Sequence, residues 1–365
     1  LYKYLGGVDA VPIMLDTKDP GRIIETVLML QPTFGGINLE DIAQPKCFRI
    51  LDTLREKAEI PVWHDDQQGT ATVTLAALMN ALKVVGKRKE DVSIAFIGAG
   101  ASNVAIARLV FAWGVDPGKC YLVDSKGILG DHRADLEKRR AEYVDKWRYC
   151  HLTNAEGRQG GIAEAMEGVD VVIALSRSGP GVIKPEWVSS MNREAIVFAC
   201  ANPVPEIWPW EASAAGARIV ATGRSDFPNQ VNNSLGFPGI FRGALDVRAR
   251  TITDEMCFAA ANALAVQIGD ALDEEHILPT MEDWEVFARE AAAVGMKAQE
   301  QGIAGLQRSH DELIEQAMRM IQRSRDLTRA MMDQKFIARR PTTATAKHGV
   351  NVSALFTAGR IPAVC

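Results

Sequence analysis

Residues 91–114, "DVSIAFIGAGASNVAIARLVFAWG", hold three local structures in a fixed order. Ile94 to Ile97 is a short apolar run of the kind a strand buried on both faces requires. Gly98 and Gly100 interrupt it, and from Ala101 the apolar positions recur at helical spacing. The first glycine permits a tight turn. The second lets a ligand approach the backbone, where the free N–H groups of a helix starting at Ala101 and Ser102 favour a phosphate. "CYLVDSKG" (120–127) follows as a second strand ending in an acid, Asp124, placed to take the ribose hydroxyls of a dinucleotide. Ser125 and Lys126 come next and suit a 2′-phosphate, so NAD and NADP both stay open. The third glycine position of the fingerprint holds Asn103, and looser helix-on-strand packing is expected there.

Working outward, 169–176, 194–203 and 217–223 are three more strand-like apolar runs, separated by segments of helical length. With the first two they imply an α/β fold, a Rossmann-type doubly wound parallel sheet over 86–225. Residues 132–150 are charged and suit a solvated helix or loop. Residues 1–85 alternate strand-like runs (11–15, 35–39 and one marked by Val62) with helical ones (20–30, 45–57 and 71–85). They predict a smaller α/β substrate- and metal-binding domain, incomplete because the sequence starts without a lead-in. Asp19 and Pro20 mark a helix start. Residues 226–336 are expected to be helical and to return to the first domain. In the helix predicted over 310–332, Leu313, Ala317, Met320, Ile321 and Leu327 form an apolar stripe. Residues 337–365 lose all periodicity and read as a disordered tail.

The net charge of −5 with 47% hydrophobic residues is ordinary for a globular protein of 365 residues. No basic stripe points to nucleic acid, and no apolar run is long enough to span a membrane. The six cysteines, Cys47, Cys120, Cys150, Cys200, Cys257 and Cys365, are scattered and form no CxxC pair. They suit reduced thiols and a cytoplasmic location.

Two acid pairs carry the chemistry. "WHDDQQGT" (63–70) puts Asp65 and Asp66 between a strand and an apolar helix, and "GGINLEDIAQP" (35–45) ends another strand in Glu40 and Asp41. One aspartate would suffice to cap a helix. Three or four carboxylates meeting at one point repel unless a cation neutralises them, and all-oxygen donors suit Mg²⁺ or Mn²⁺. His64, alone beside an oxygen set, is expected to pack or hydrogen-bond. A divalent ion beside a nicotinamide suggests oxidation of a hydroxy acid, with loss of CO₂ when the product is a β-keto acid.

Taken together, "FGGINLEDIAQP", "HDDQQGTA", "GAGAS", "ANPVPEI" (201–207), "GRSDFPNQVNN" (223–233) and "DEMCFAAANALA" (254–265) resemble a prokaryotic malic enzyme, from Leu1 to about residue 335. The resemblance implies oxidation of malate by NAD or NADP and decarboxylation to pyruvate, in a homodimer. It implies Glu40, Asp41 and Asp66 as metal ligands and Asp65 as the acid that supports the catalytic lysine. Asn202 falls at the nicotinamide and substrate, and Asn232 and Asn233 near the substrate carboxylate and cofactor. Without the resemblance, a helix cap is the alternative reading of these last two. The family's catalytic lysine and tyrosine fall upstream of Leu1, so an N-terminally truncated core with slight turnover is expected. Two rival readings are a metal-free NAD(P)-dependent hydroxy-acid or amino-acid dehydrogenase and a non-catalytic nucleotide-binding chain.

Overall fold

The computed structural model describes residues 1–338, whose strands fall into two sheets. Strands β1 (Ile37–Leu39) and β2 (Val62–His64) form a parallel pair. The larger sheet contains β3 (Ile94–Ile97), β4 (Cys120–Asp124), β5 (Gly127–Ile128), β6 (Val171–Ala174), β7 (Ala195–Ala199) and β8 (Ala217–Thr222). Their order is β5-β4-β3-β6-β7-β8, with β5 antiparallel to β4 and the rest parallel. The chain leaves β3 toward one edge and returns at β6 to build toward the other. That reversal opens a crevice at the carboxyl ends of β3 and β6, where doubly wound sheets bind ligands.

Alternation along the strands explains their unbroken apolar runs. Ile94, Phe96 and Ile173 face one core, while Ala95, Ile97, Val172 and Ala174 face another on the opposite side of the sheet. The first core also takes in helix Thr70–Val85, whose residues from Ala71 to Leu82 are all buried. That helix packs against both Ala101–Trp113 and Asp254–Gln267. The predicted α/β class therefore holds.

Several local expectations need correction. Residues 11–15 form no strand: they take no regular structure and are exposed, with Met14 at 83%. Among the described residues, no backbone hydrogen bond reaches the N–H groups of residues 9–18, and an isolated segment has nothing to make it a strand. In helix His310–Asp333 the buried stripe is Leu313, Ala317, Ile321 and Ser324, while Met320 and Leu327 sit on its exposed flank. The small Ser324 continues the helical row at the place where Leu327 was expected to serve. The segment 132–150 is partly buried, since Tyr149 donates its hydroxyl to the Val104 carbonyl at 2.9 Å. Five cysteines are free and buried. Cys365 and nearly all of the predicted tail lie outside the described residues.

Candidate active site

The joint after β2 is a π-helical turn, Asp65–Gly69, that runs straight into helix Thr70–Val85. π-Turns inside helices concentrate at functional positions. Here the turn aims two consecutive acids differently. Asp65 is 1% exposed, accepts from Asn233 Nδ2 at 2.6 Å, and lies 3.4 Å from Trp63 Nε1. Gly69 makes this possible, because a Cβ there would overlap Asp65 Oδ1. Burial, with Glu40 and Asp66 nearby, pushes Asp65 up to about 8, while Trp63 and Asn233 pull the other way. Asp66 is 36% exposed. Its Oδ2 accepts from the Asp41 backbone N–H at 2.9 Å.

Strand register brings the two acid pairs together. Leu39 pairs with His64, so Glu40 and Asp41 leave β1 beside Asp65 and Asp66 leaving β2. Glu40 is held by Asn38 Nδ2 at 2.9 Å, and burial followed by the charges of Asp66 and Asp41 raises it to about 6. Burial and Asp41 also raise Asp66. His64 is fully buried with no hydrogen-bond partner on either ring nitrogen, and burial lowers it to about 4. It is a neutral, packed ring.

A hard divalent ion suits this donor set chemically. The acids are oxygen donors that raise one another's pKa, a repulsion a cation would relieve. Among the described residues, however, no three or more His, Cys, Asp or Glu side chains already form a cage. Glu40 turns toward Asn38, and Asp66 toward the Asp41 N–H.

Tyr2 also belongs to this neighbourhood. Its ring packs on Phe237 and Phe241, and its buried hydroxyl has no hydrogen-bond partner. Burial raises its pKa, followed by the charges of Asp65 and Glu40. No spacing pattern in the sequence signals this, because the contacts come from residues 40, 65 and 237–241.

At the glycine turn, Gly98 has φ +101°, and a Cβ would stand 2.7 Å from the Leu175 carbonyl oxygen. A Cβ at Gly100 would meet nothing within 4 Å, so the backbone there faces open space. Ala101 and Ser102 open the helix, and Ser102 lines the adjoining cavity. Asn103 does not loosen the packing as expected. It is fully buried, and its Nδ2 donates to Gly98, Ile97 and Ile173 carbonyls at 2.8, 3.0 and 3.3 Å, so an amide strut replaces close glycine contact.

Asp124 ends β4 where it was expected, but its carboxylate is taken. Arg133 grips both oxygens at 2.9 and 3.0 Å, Lys146 stands 3.5 Å away, and Asp124 is only 10% exposed. These partners hold its pKa below the ordinary value against the opposing effect of burial. Ser125 and Lys126 are exposed beside it. A free ribose-binding acid is thus replaced by an ion pair whose arginine lies nine residues downstream, beyond the reach of motif spacing.

The asparagines close the other wall. Asn232 caps the turn Asn233–Leu235, accepting from Ser234 N at 3.0 Å, and donates to the Gly223 carbonyl at 3.2 Å. Asn233 instead reaches Asp65. The cap reading therefore fits Asn232 alone. One cavity is lined by Asp66, Ser102, Asn202, Asn232 and Asn233 together, which joins the acid joint to the glycine turn.

Residues 67–299 match the family described as malic enzyme, NAD binding domain. The chain is 46% identical over 307 residues to an NAD-dependent malic enzyme of Geobacillus stearothermophilus, covering 83% of this chain and 62% of that one. It is 44% identical to a bifunctional malic/malolactic enzyme of Bacillus subtilis, covering 88% and 76%. Among solved structures, a malic enzyme of Entamoeba histolytica superposes with TM-score 0.90 at 50% identity, covering 93% of this chain and 71% of that one. One from Pyrococcus horikoshii gives 0.86, also at 50%, with coverages of 91% and 77%. The chain thus spans about three fifths to three quarters of the length of these relatives.

Proposed function

The chain belongs to the malic enzyme family, and from that premise we propose that it oxidises malate with NAD⁺ or NADP⁺ and releases pyruvate and CO₂ with the help of Mg²⁺ or Mn²⁺. The observation that carries this reading is the single cavity bordered by Asp66, Ser102, Asn202, Asn232 and Asn233. Hydride transfer requires the substrate carbon and the nicotinamide in one enclosure, and this one adjoins both kinds of subsite.

Gly98, Gly100, Ala101 and Ser102 hold the pyrophosphate, with the helix N-terminus directed at its charge. The Asp124–Arg133 pair meets the adenosine ribose. Asn202 faces the nicotinamide and substrate, and Asn232 and Asn233 the substrate carboxylate. Glu40, Asp41 and Asp66 hold the metal, which when bound draws electron density from the substrate oxygens. Asp65, whose burial favours the protonated form, serves the proton chemistry and is kept in place by Asn233 and Trp63. We divide the chain into a metal and substrate part (1–85 with 226–336) and a dinucleotide part (86–225). We extend the proposal to a cytoplasmic homodimer on the family resemblance. No helix of the described residues is long and apolar enough to cross a membrane.

The test is malate-dependent NAD(P)H formation by the natural full-length protein, with pyruvate and CO₂ measured alongside and EDTA as control. Formation of a keto acid without CO₂, unaffected by EDTA, would favour the metal-free dehydrogenase instead. Absence of dinucleotide reduction despite dinucleotide binding would favour a non-catalytic chain.

A further inference from the structure

"ANPVPEI" contains an acid to which the site as described gives no task. Glu206 is 0% exposed, although it sits in the loop after β7 rather than in a strand or helix. A buried carboxyl in a loop is costly unless its oxygens are fully paired. Both are. Oε1 accepts from the backbone N–H of Ser176 at 2.9 Å and from the Ser176 hydroxyl at 3.3 Å, and Oε2 accepts from the backbone N–H of Ala201 at 3.1 Å. Burial raises its pKa, and these donors offset only part of that rise.

The two loops it joins form opposite parts of one wall. Ser176 follows β6, and its Cα lies 3.0 Å from the place a Cβ would take on Gly98, so the glycine turn rests on it. Ala201 precedes Asn202, whose side chain stands 3.0 Å from the corresponding position on Gly223. Gly223 in turn accepts from Asn232. A continuous path thus runs from the dinucleotide turn through Ser176, Glu206 and Asn202 to Asn232.

We propose that Glu206 is a positioning residue, a buried double acceptor that fixes the loop under the glycine turn and the loop bearing Asn202 in one arrangement. This rests on the reading that the cavity takes a dinucleotide. The role demands two acceptor oxygens. Glutamine has the same size but offers one acceptor and a donor, so it sets an N–H against an N–H.

The test compares parent, Glu206→Gln and Glu206→Ala by dinucleotide titration, thermal unfolding and, in the full-length enzyme, the KM for NAD(P)⁺ against kcat. If the parent binds no dinucleotide, the reading of the cavity fails, whatever Glu206 does. If the parent binds, both variants should weaken dinucleotide affinity on the order of tenfold, with a cooperative unfolding transition retained and KM rising more than kcat falls. A role in packing alone would let glutamine rescue, and parent-like binding by Glu206→Gln overturns the proposal. Should both variants fail to fold, amide exchange on the parent decides. Peptides covering 175–178 and 200–202 should exchange slowly although they lie outside the strands, and fast exchange there also overturns it.

Discussion

Glu290 offers the sharpest quantitative test of the packing described above. It lies in helix Glu285–Glu300, which packs on Phe237–Asp246. It is 0% exposed, and neither carboxyl oxygen has a hydrogen-bond partner. Its carboxyl fills the space a side chain at Gly239 would need, since a Cβ there would overlap Oε2. Burial alone raises its pKa well above the ordinary 4.5. The folded state therefore keeps a proton that the unfolded state releases once pH exceeds about 4.5. Stability from this group is fully present below that value and is lost as pH rises toward the folded pKa. The slope is at most about 1.4 kcal/mol per pH unit, the value for one proton. Glu290→Gln keeps the shape and removes the titration. Its advantage over the parent should be smallest near pH 4 and grow with pH, with a ceiling of roughly 3 kcal/mol between pH 5 and 7. At about 2 °C per kcal/mol for a chain of this size, the melting difference widens by up to about 6 °C. Scanning calorimetry of both proteins at pH 4.5, 6 and 7.5 reads this directly. A difference that stays constant across that range would mean that Glu290 does not remain protonated in the fold, and the reasoning would be refuted.

Asp66→Asn should weaken Mn²⁺ binding roughly tenfold or more while sparing the dinucleotide; a Mn²⁺ titration followed by electron paramagnetic resonance checks it, and equal losses of both ligands would count against a metal role. Gly98→Val should abolish NAD(P) binding, because φ +101° is foreign to a β-branched residue and the Leu175 carbonyl stands 2.7 Å from its Cβ. Unchanged affinity in a folded Gly98→Val protein would remove the phosphate turn. Arg133→Ala uncovers the Asp124 carboxylate, so the ratio of NADP⁺ to NAD⁺ affinity should fall on the order of tenfold. A ratio unchanged by calorimetric titration would mean that this ion pair lies away from the 2′ position.

The parts of the fold that could be read in advance are those whose cause is local. Residues 91–127 announce a strand, turn, helix and strand because period, glycine placement and the terminal acid all agree. The buried strands β6, β7 and β8 announce themselves by composition. Residues 11–15 have the same composition but no neighbouring strand, and an apolar run does not say what will cover it. The site divides in the same way. Both acid pairs stand out because acids rarely end buried strands. The pairing of Asp124 with Arg133, the burial of Glu206 and Glu290, and the approach of Tyr2 to Asp65 are tertiary events between residues 9 to about 60 positions apart or more, or solitary residues whose type gives no warning. Asn103 shows a subtler failure, in which the fingerprint position was right and the chemistry filling it was different.

Helix Thr70–Val85 carries the acid turn at its start and lies, buried, against the helix that begins at the glycine turn. The two halves of the cavity are therefore mounted on one stiff pair of rods instead of on bodies that swing apart. A hinge through this contact would have to open a core that also includes Asp254–Gln267. Crosslinking the two rods should therefore leave dinucleotide affinity intact, and a loss of binding on crosslinking would show that they move.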